Sequence, residues 1–399
     1  MRILNKENFA LMAAVLGIAF GILLPDLAKN LTIFGDIFLT LLKLVIVPLV
    51  FVSVFLAVAR QKSMQNISGL GLKTIIYFSV TSMLACLTGF IASFVLPHAE
   101  KKSVAFESFQ AGTLKELNVQ EIIIGFFSPN FFKSLSDGSI IQIVIVALML
   151  GLAFLQITEK RKVVLLEPME AINDIIMVFI NWILFVAPVG IFSLVASVTA
   201  KTDSSLFAGL GWMFAAIAIG LLIHSLITLP ALGFFIGKFS PYRFLARIKE
   251  PLIVALATAS SNATLPVSTR VLTEQENVDP RTAGFMLPLG ATVNMDGSSI
   301  YQTLIILYLG DLAGIPLTLT HQFYIFCLIL VSSVGTAGIP GGGLLMIGAV
   351  MQNVGIPLEY LGVYLLIDRV WDPAVTMVNV LGDLFGAKIV DSHDKRMKN

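Results

Sequence analysis

Apolar runs long enough to cross a lipid bilayer constrain this chain more than any other feature. The stretches 9–24, 205–237 and 322–334 contain no Asp, Glu, Lys or Arg. A helix spanning the hydrocarbon core needs about 20 mostly apolar residues. Only 13% of the 399 residues are charged, against roughly 25% in soluble domains. With 57% hydrophobic residues and a mean hydropathy of +0.90, a water-facing surface cannot be assembled. The sequence therefore predicts an all-α polytopic membrane protein whose first partner is the lipid bilayer. A net charge of +1 offers no basic patch, so no nucleic-acid partner is expected.

Hydropathy and Gly/Pro breaks place spans near 8–25, 33–58, 70–96, 120–156, 166–199, 205–237, 281–309 and 358–391. The first follows Arg2 and Lys6 but has no small-residue cleavage site after it, so it is expected as a retained helix. Basic residues gather at Arg60/Lys62/Lys73, Lys160/Lys162, Arg243/Arg247/Lys249, Arg270/Arg281 and Lys388/Lys395/Arg396/Lys398. The positive-inside rule puts these loops and both termini in the cytoplasm, at a plasma or inner membrane. The alternation closes only if two interrupted stretches, 242–272 and 318–354, each enter and leave on one face. The polar segment 98–120 is expected as an extracellular connector. Cys86 and Cys327 sit in apolar runs as inert thiols. His98 and His393 are expected in loops, and His224 and His321 as packed or interfacial residues.

The interrupted stretches centre on ATASSNATLP (257–266) and SSVGTAGIPGGG (332–343), flanked by apolar arms too short to span. Such arms suit re-entrant helical hairpins. Irregular backbone survives at membrane depth only where it is buried in protein or lines a watery cavity. Half-helix N-termini there suit a carboxylate, and free carbonyls suit Na⁺. Two further segments place carboxylates inside spans: Asp296, and Asp368, Asp372 and Asp383. Each costs about 2.5–3.5 kcal/mol on insertion scales and marks an ion or substrate path. Asp368, Asp372, Asn379 and Asp383, spaced i, i+4, i+11, i+15, fall on one helical face. With little intramembrane Lys or Arg to pair them, Na⁺ or a substrate ammonium is the expected partner, although Arg369 beside Asp368 also allows a salt bridge. No nucleophile–base pair or metal triad suggests an enzyme.

Four segments, ATASSNATLPVS (257–268), PLGATVNMDGSSIYQ (288–302), SVGTAGIPGGG (333–343) and DPAVTMVNVLGD (372–383), carry a resemblance over nearly the whole chain. Together with LLKLVIVPLVF (41–51) and YFSVTS (77–82), they resemble the dicarboxylate/amino acid:cation symporters, the glutamate and neutral amino acid transporters. The resemblance implies eight transmembrane helices plus two re-entrant hairpins, an elevator-type transporter and a homotrimer. It implies scaffold helices in 1–66, a transport-domain helix in 67–97, a loop and further scaffold helices in 98–200, and the rest of the transport domain in 201–399.

By the same resemblance, Asp372 holds the substrate ammonium, and Asn379, Ser261 and Ser298 its carboxylate. Thr376 and Val375 line the side-chain pocket, with Ile339 and Gly343 also at the substrate. One Na⁺ would take Gly290, Asn294, Asn379 and Asp383. A second would take Thr292, Met295, Ser333, Val334 and Thr336, and a third Phe78 through its carbonyl, Thr81, Ser82, Asn294 and Asp296, for two or three ions in all. Members that carry acidic substrates resemble this chain except for an arginine where Val375 stands, and some have a basic residue at the position of Ala259 or Pro373. Asn262 replaces a common serine. The expected activity is sodium-coupled symport of small neutral L-amino acids. Two alternatives stay open: an acidic amino acid or dicarboxylate carrier using Arg369, and an ion channel.

Overall fold

The computed structural model describes residues 6–60, 67–95, 120, 124–201, 205–315, 317–335 and 342–398. Every regular element among them is helical. The first group comprises α1 (Lys6–Leu23), α2 (Pro25–Asn30) and α3 (Thr32–Ala59), then α4 (Leu72–Ser93) after a π-helical turn at Ile67–Gly71. Next come α5 (Phe131–Asp137), α6 (Ile140–Phe154), α7 (Glu159–Lys201) and α8 (Ser205–Ile223). Four of the helical stretches described are long and apolar enough to cross a membrane, and a fifth is a bent pair. The bend, 49°, falls between Ile183 and Phe185 in α7. Pro188 explains it, because its ring displaces the carbonyl four residues earlier. The chain is thus a multi-helix membrane protein.

Two expected single spans are each broken. The 120–156 stretch divides into α5 and α6 at Gly138, whose φ of +65° no helix can continue. The 281–309 stretch divides into α12 (Pro280–Val293) and α13 (Asp296–Leu312), with Asn294 and Met295 off the helix between them. Beyond α8, π-helical turns at His224–Thr228 and Gly233–Gly237 flank Pro230, whose missing N–H cannot continue the regular ladder.

The first interrupted stretch is a hairpin. Short α9 (Pro241–Arg247) leads into α10 (Lys249–Thr258), which packs against α11 (Ser261–Arg270). Arg270 at the end of α11 reaches Glu250 at the start of α10, 2.5 Å apart, so the arms return to one end. At the tip Ala259 adopts φ +46°, and Ser260 caps α11 by accepting the N–H of Ala263 at 3.3 Å. The second stretch contains α14 (Leu319–Gly335) and α15 (Gly342–Val354), which also pack together. Its tip, with Thr336 and Ile339, lies outside the described residues, as do 98–119 and the side chains of Val334 and Arg369. The last helix, α16 (Leu361–Lys398), contains Pro373 and also His393, which is therefore helical and not in a loop.

Helices α1 and α3 pack on α7 and α6 packs on α3, while α4 packs on α13, and α10, α12 and α13 on α16. The buried apolar residues form two clusters, and α16 threads both: Val375 and Val378 belong to one, Val380, Leu381 and Leu384 to the other. Asn379 lies between them. At the other end, basic residues meet acidic partners: Lys388 and Arg247 hold the buried Glu276 at 3.1 and 3.4 Å, and Lys73 pairs with Asp394. These lysines and arginines are among those the charge rule assigns to one face.

The left-handed backbone at Ala259 tolerates glycine and opposes β-branched residues. Ala259→Val is expected to lower the melting temperature of the purified protein by several degrees, and Ala259→Gly to leave it within a degree or two. Equal melting of the two variants would show that the tip carries no such strain.

Candidate functional site

Breaks in α12–α13 and at the α10–α11 tip free backbone groups deep in the protein, and α16 brings polar side chains to them. A cavity of about 30 Å³ lies where these elements meet. Its wall takes Ser261 from the start of α11, Met295 and Ser298 from the α12–α13 break, and Gly343 from α15. From α16 come Asp372, Val375, Thr376 and Asn379. All of the predicted substrate residues that are described therefore share one cavity. Asn379 grips the first turn of α13: its Oδ1 accepts the Ser298 N–H, and its Nδ2 donates to Ser298 Oγ, both at 3.2 Å.

The predicted ion ligands assemble directly beside it. Asn294 is completely buried. Its Oδ1 accepts from Thr81 Oγ1 at 3.0 Å, and its Nδ2 donates to Asp383 Oδ1 at 3.0 Å, so one carboxamide ties α4 to α16 through the break. Thr81 also reaches the carbonyl of Phe78 at 3.2 Å, and Ser82 is buried next to it. A side chain at Gly290 would strike the Asp383 carboxylate. Only a glycine lets that acid approach the helix backbone. Asp296 is fully buried, with Oδ2 at 3.3 Å from His224 Nε2, while its Oδ1 has no protein partner. The pairing expected for Asp296 was a cation or an ammonium alone; the fold adds an imidazole. The other predicted group is looser: Thr292 Oγ1 donates to the Leu289 carbonyl at 3.0 Å, and Ser333 Oγ to the Val293 carbonyl at 3.4 Å.

The donors in this assembly are carboxylate, carboxamide, hydroxyl and carbonyl oxygens, which suit a hard cation. Among the described residues no cluster of three His, Cys, Asp or Glu side chains is set for a metal ion. Sequence reasoning missed Tyr301, Gln302 and Tyr364, which complete the cavity wall with Asp368. Tyr364 donates to Asp368 Oδ1 at 2.5 Å, and Ser332 to Gln302 Oε1 at 2.7 Å. Tyr301 and Gln302 end the segment PLGATVNMDGSSIYQ, about one turn beyond Ser298 on the same helix, which was the available signal. His224 carried none beyond being a ring in an apolar run.

A family model described as the sodium:dicarboxylate symporter family matches residues 8–393. The chain belongs to this family. It is 30% identical to mouse excitatory amino acid transporter 3, covering 96% of this chain and 84% of that one. To bovine neutral amino acid transporter B(0) it is 29% identical, covering 97% and 80%. To the proton/sodium-glutamate symport protein of Bacillus subtilis it is 28% identical, covering 94% and 90%. As a member of this symporter family the chain is a membrane transporter. Relatives named for acidic and for neutral substrates match it about equally.

Gly382 lies against the same assembly: a Cβ there would sit 2.8 Å from Asn294 Nδ2 and collide with Asp296 Oδ2. Helix propensity alone favours Gly382→Ala by about 1 kcal/mol. The variant is nevertheless expected to melt lower than wild type, because the crowded atoms are buried and hydrogen-bonded. A higher melting temperature would mean that the site relaxes freely around α16.

Proposed function

We propose that this chain is a sodium-coupled symporter of small neutral L-amino acids, with serine, alanine, threonine and cysteine as the substrate class. One observation carries the choice of substrate. Val375, buried on the cavity wall, stands among Asp368 and Asp372, and no Lys, Arg or His is among the described residues of that wall. A substrate's second carboxylate would face Val375 there and find no basic side chain among the described residues of the wall. A buried polar group without a partner costs about 1–3 kcal/mol, and a charged one more.

In this reading Asp372 holds the ammonium that all amino acids share. The substrate carboxylate lies at the starts of α11 and α13, near Ser261, Ser298 and Asn379, where the N-terminal ends of two helix dipoles favour an anion. Thr376 and Val375 bound the side-chain pocket. Sodium is taken by Asn294, Asp296, Asp383, Asn379, Thr81, Ser82 and the carbonyls of Gly290 and Phe78, with further ligands from Thr292, Met295, Ser333, Val334 and Thr336, for two or three ions. The names of the family and of the B. subtilis relative support sodium as the coupled ion.

Eight spans with two re-entrant hairpins, a trimer and an elevator motion complete the proposal. The scaffold comprises 1–66 and 98–200, and the moving part 67–97 and 201–399. The packing of α1 and α3 on α7, and of α4 on α13, supports that division. The membrane is the plasma or inner membrane, with both termini cytoplasmic, as the basic clusters favour.

Val375→Arg supplies a guanidinium that matches a carboxylate. It is expected to raise aspartate affinity about tenfold or more, equivalent to about 1.4 kcal/mol, and to weaken serine binding. Competition binding on purified protein measures both; a wild type that prefers aspartate to serine would reverse the assignment. For coupling, a unit charge about 4 Å from a cation is worth roughly 4 kcal/mol at an effective dielectric of 20. Asp383→Asn is therefore expected to shift the Na⁺ dependence of serine binding to concentrations more than tenfold higher, and an unshifted curve would remove Asp383 from the ion site.

A further inference from the structure

His224 opens the π-helical turn His224–Thr228, and its carbonyl accepts the Leu229 N–H in the widened ladder there. Its side chain is completely buried, as is Asp296, and the two meet at 3.3 Å through Nε2 and Oδ2. The remaining ring atom, Nδ1, has no protein partner, nor has Asp296 Oδ1. A neutral imidazole donates from only one nitrogen. With a carboxylate oxygen facing Nε2, the N–H resides there, and Oδ2 is held. On its other side Oδ2 lies against the backbone of Gly382, where no Cβ fits. The carboxylate is thus clamped between a ring and a helix, with Oδ1 as its one uncommitted oxygen.

We propose that His224 is a positioning residue for the cation site at Asp296, holding Oδ2 so that Oδ1 is presented to the ion. His224 touches neither ion nor substrate. Its contribution is orientation: partners of this kind that fix a ligand's geometry typically change metal affinity 10–100-fold when removed. The proposal rests on the sodium reading above.

The test uses the full chain in nanodiscs. The rise of melting temperature with Na⁺, at constant ionic strength with choline and without substrate, reports cation binding directly. His224→Leu removes the donor, His224→Gln keeps one near the Nε2 position, and His224→Asn retains an amide too short to reach it. The Leu and Asn variants are expected to need about tenfold more Na⁺ for the half-maximal shift, and the Gln variant to stay within about threefold of wild type. L-serine affinity at saturating Na⁺ should stay within about threefold in all four proteins. A wild-type Na⁺ curve in the Leu variant would overturn the proposal, as would a Gln variant displaced as far as Asn. If the Leu variant does not fold, the Gln and Asn curves decide: separation supports positioning, coincidence overturns it. A wild type with no Na⁺ response at all would instead overturn the sodium reading beneath it.

Discussion

Where α12 gives way to α13, backbone groups lose their helical partners at a depth where lipid cannot replace them: Asn379 Oδ1 accepts the Ser298 N–H, Ser333 Oγ donates to the Val293 carbonyl, and the break itself is tied to its neighbours by the side chain of Asn294. Its carboxamide accepts from Thr81 and donates to Asp383 in the same stroke. The break, α4 and α16 are therefore held by one buried group with both of its polar ends engaged. An unmade bond here would leave a buried donor or acceptor at a cost of about 1–3 kcal/mol. The irregular segment is stable because its neighbours satisfy it, and those neighbours are the same oxygens that suit a cation.

Close approach makes this possible. Gly290 and Gly382 have no side chains, and in both places a Cβ would occupy space already taken by Asp383, Asn294 or Asp296. The polar groups lie between two apolar clusters that α16 connects, with Asn379 at the junction. Apolar packing on both sides keeps the helices rigid while the strip between them stays polar. Asn379 then fixes the first turn of α13 through Ser298, which sets the cavity wall against the polar strip. Wall and strip share the same two elements, so a shift in one bears on the geometry of the other.

The cavity is acidic and, on its described wall, lacks a basic side chain. Overall similarity does not choose a substrate class, since the relatives named for excitatory and for neutral amino acids match the chain at 30% and 29% identity, and the proposal for neutral substrates rests on Val375 in that wall.

Much of the architecture was legible in the residues. Apolar runs require membrane helices because backbone and side chains must both suit lipid. Glycine, proline and hydroxyl clusters marked breaks because those residues interrupt the helical ladder, and the first hairpin turns at the predicted ATASSNATLP segment. The spacing of Asp368, Asp372, Asn379 and Asp383 showed one helix face because helical periodicity is local. The break inside 281–309 is legible in part: Gly290 and Gly297, helix breakers, flank Thr292 and Met295 as ligands of an unwound helix, while hydropathy alone draws one span. Pairings between distant segments were not legible at all. Thr81 and Asn294 are 213 residues apart, Asn294 and Asp383 are 89, and His224 and Asp296 are 72. No periodicity links such positions. Only the packing of α4, the π turn after α8 and α16 around one break decides which polar groups meet, because a buried polar atom takes whichever partner the tertiary fold brings within hydrogen-bond reach.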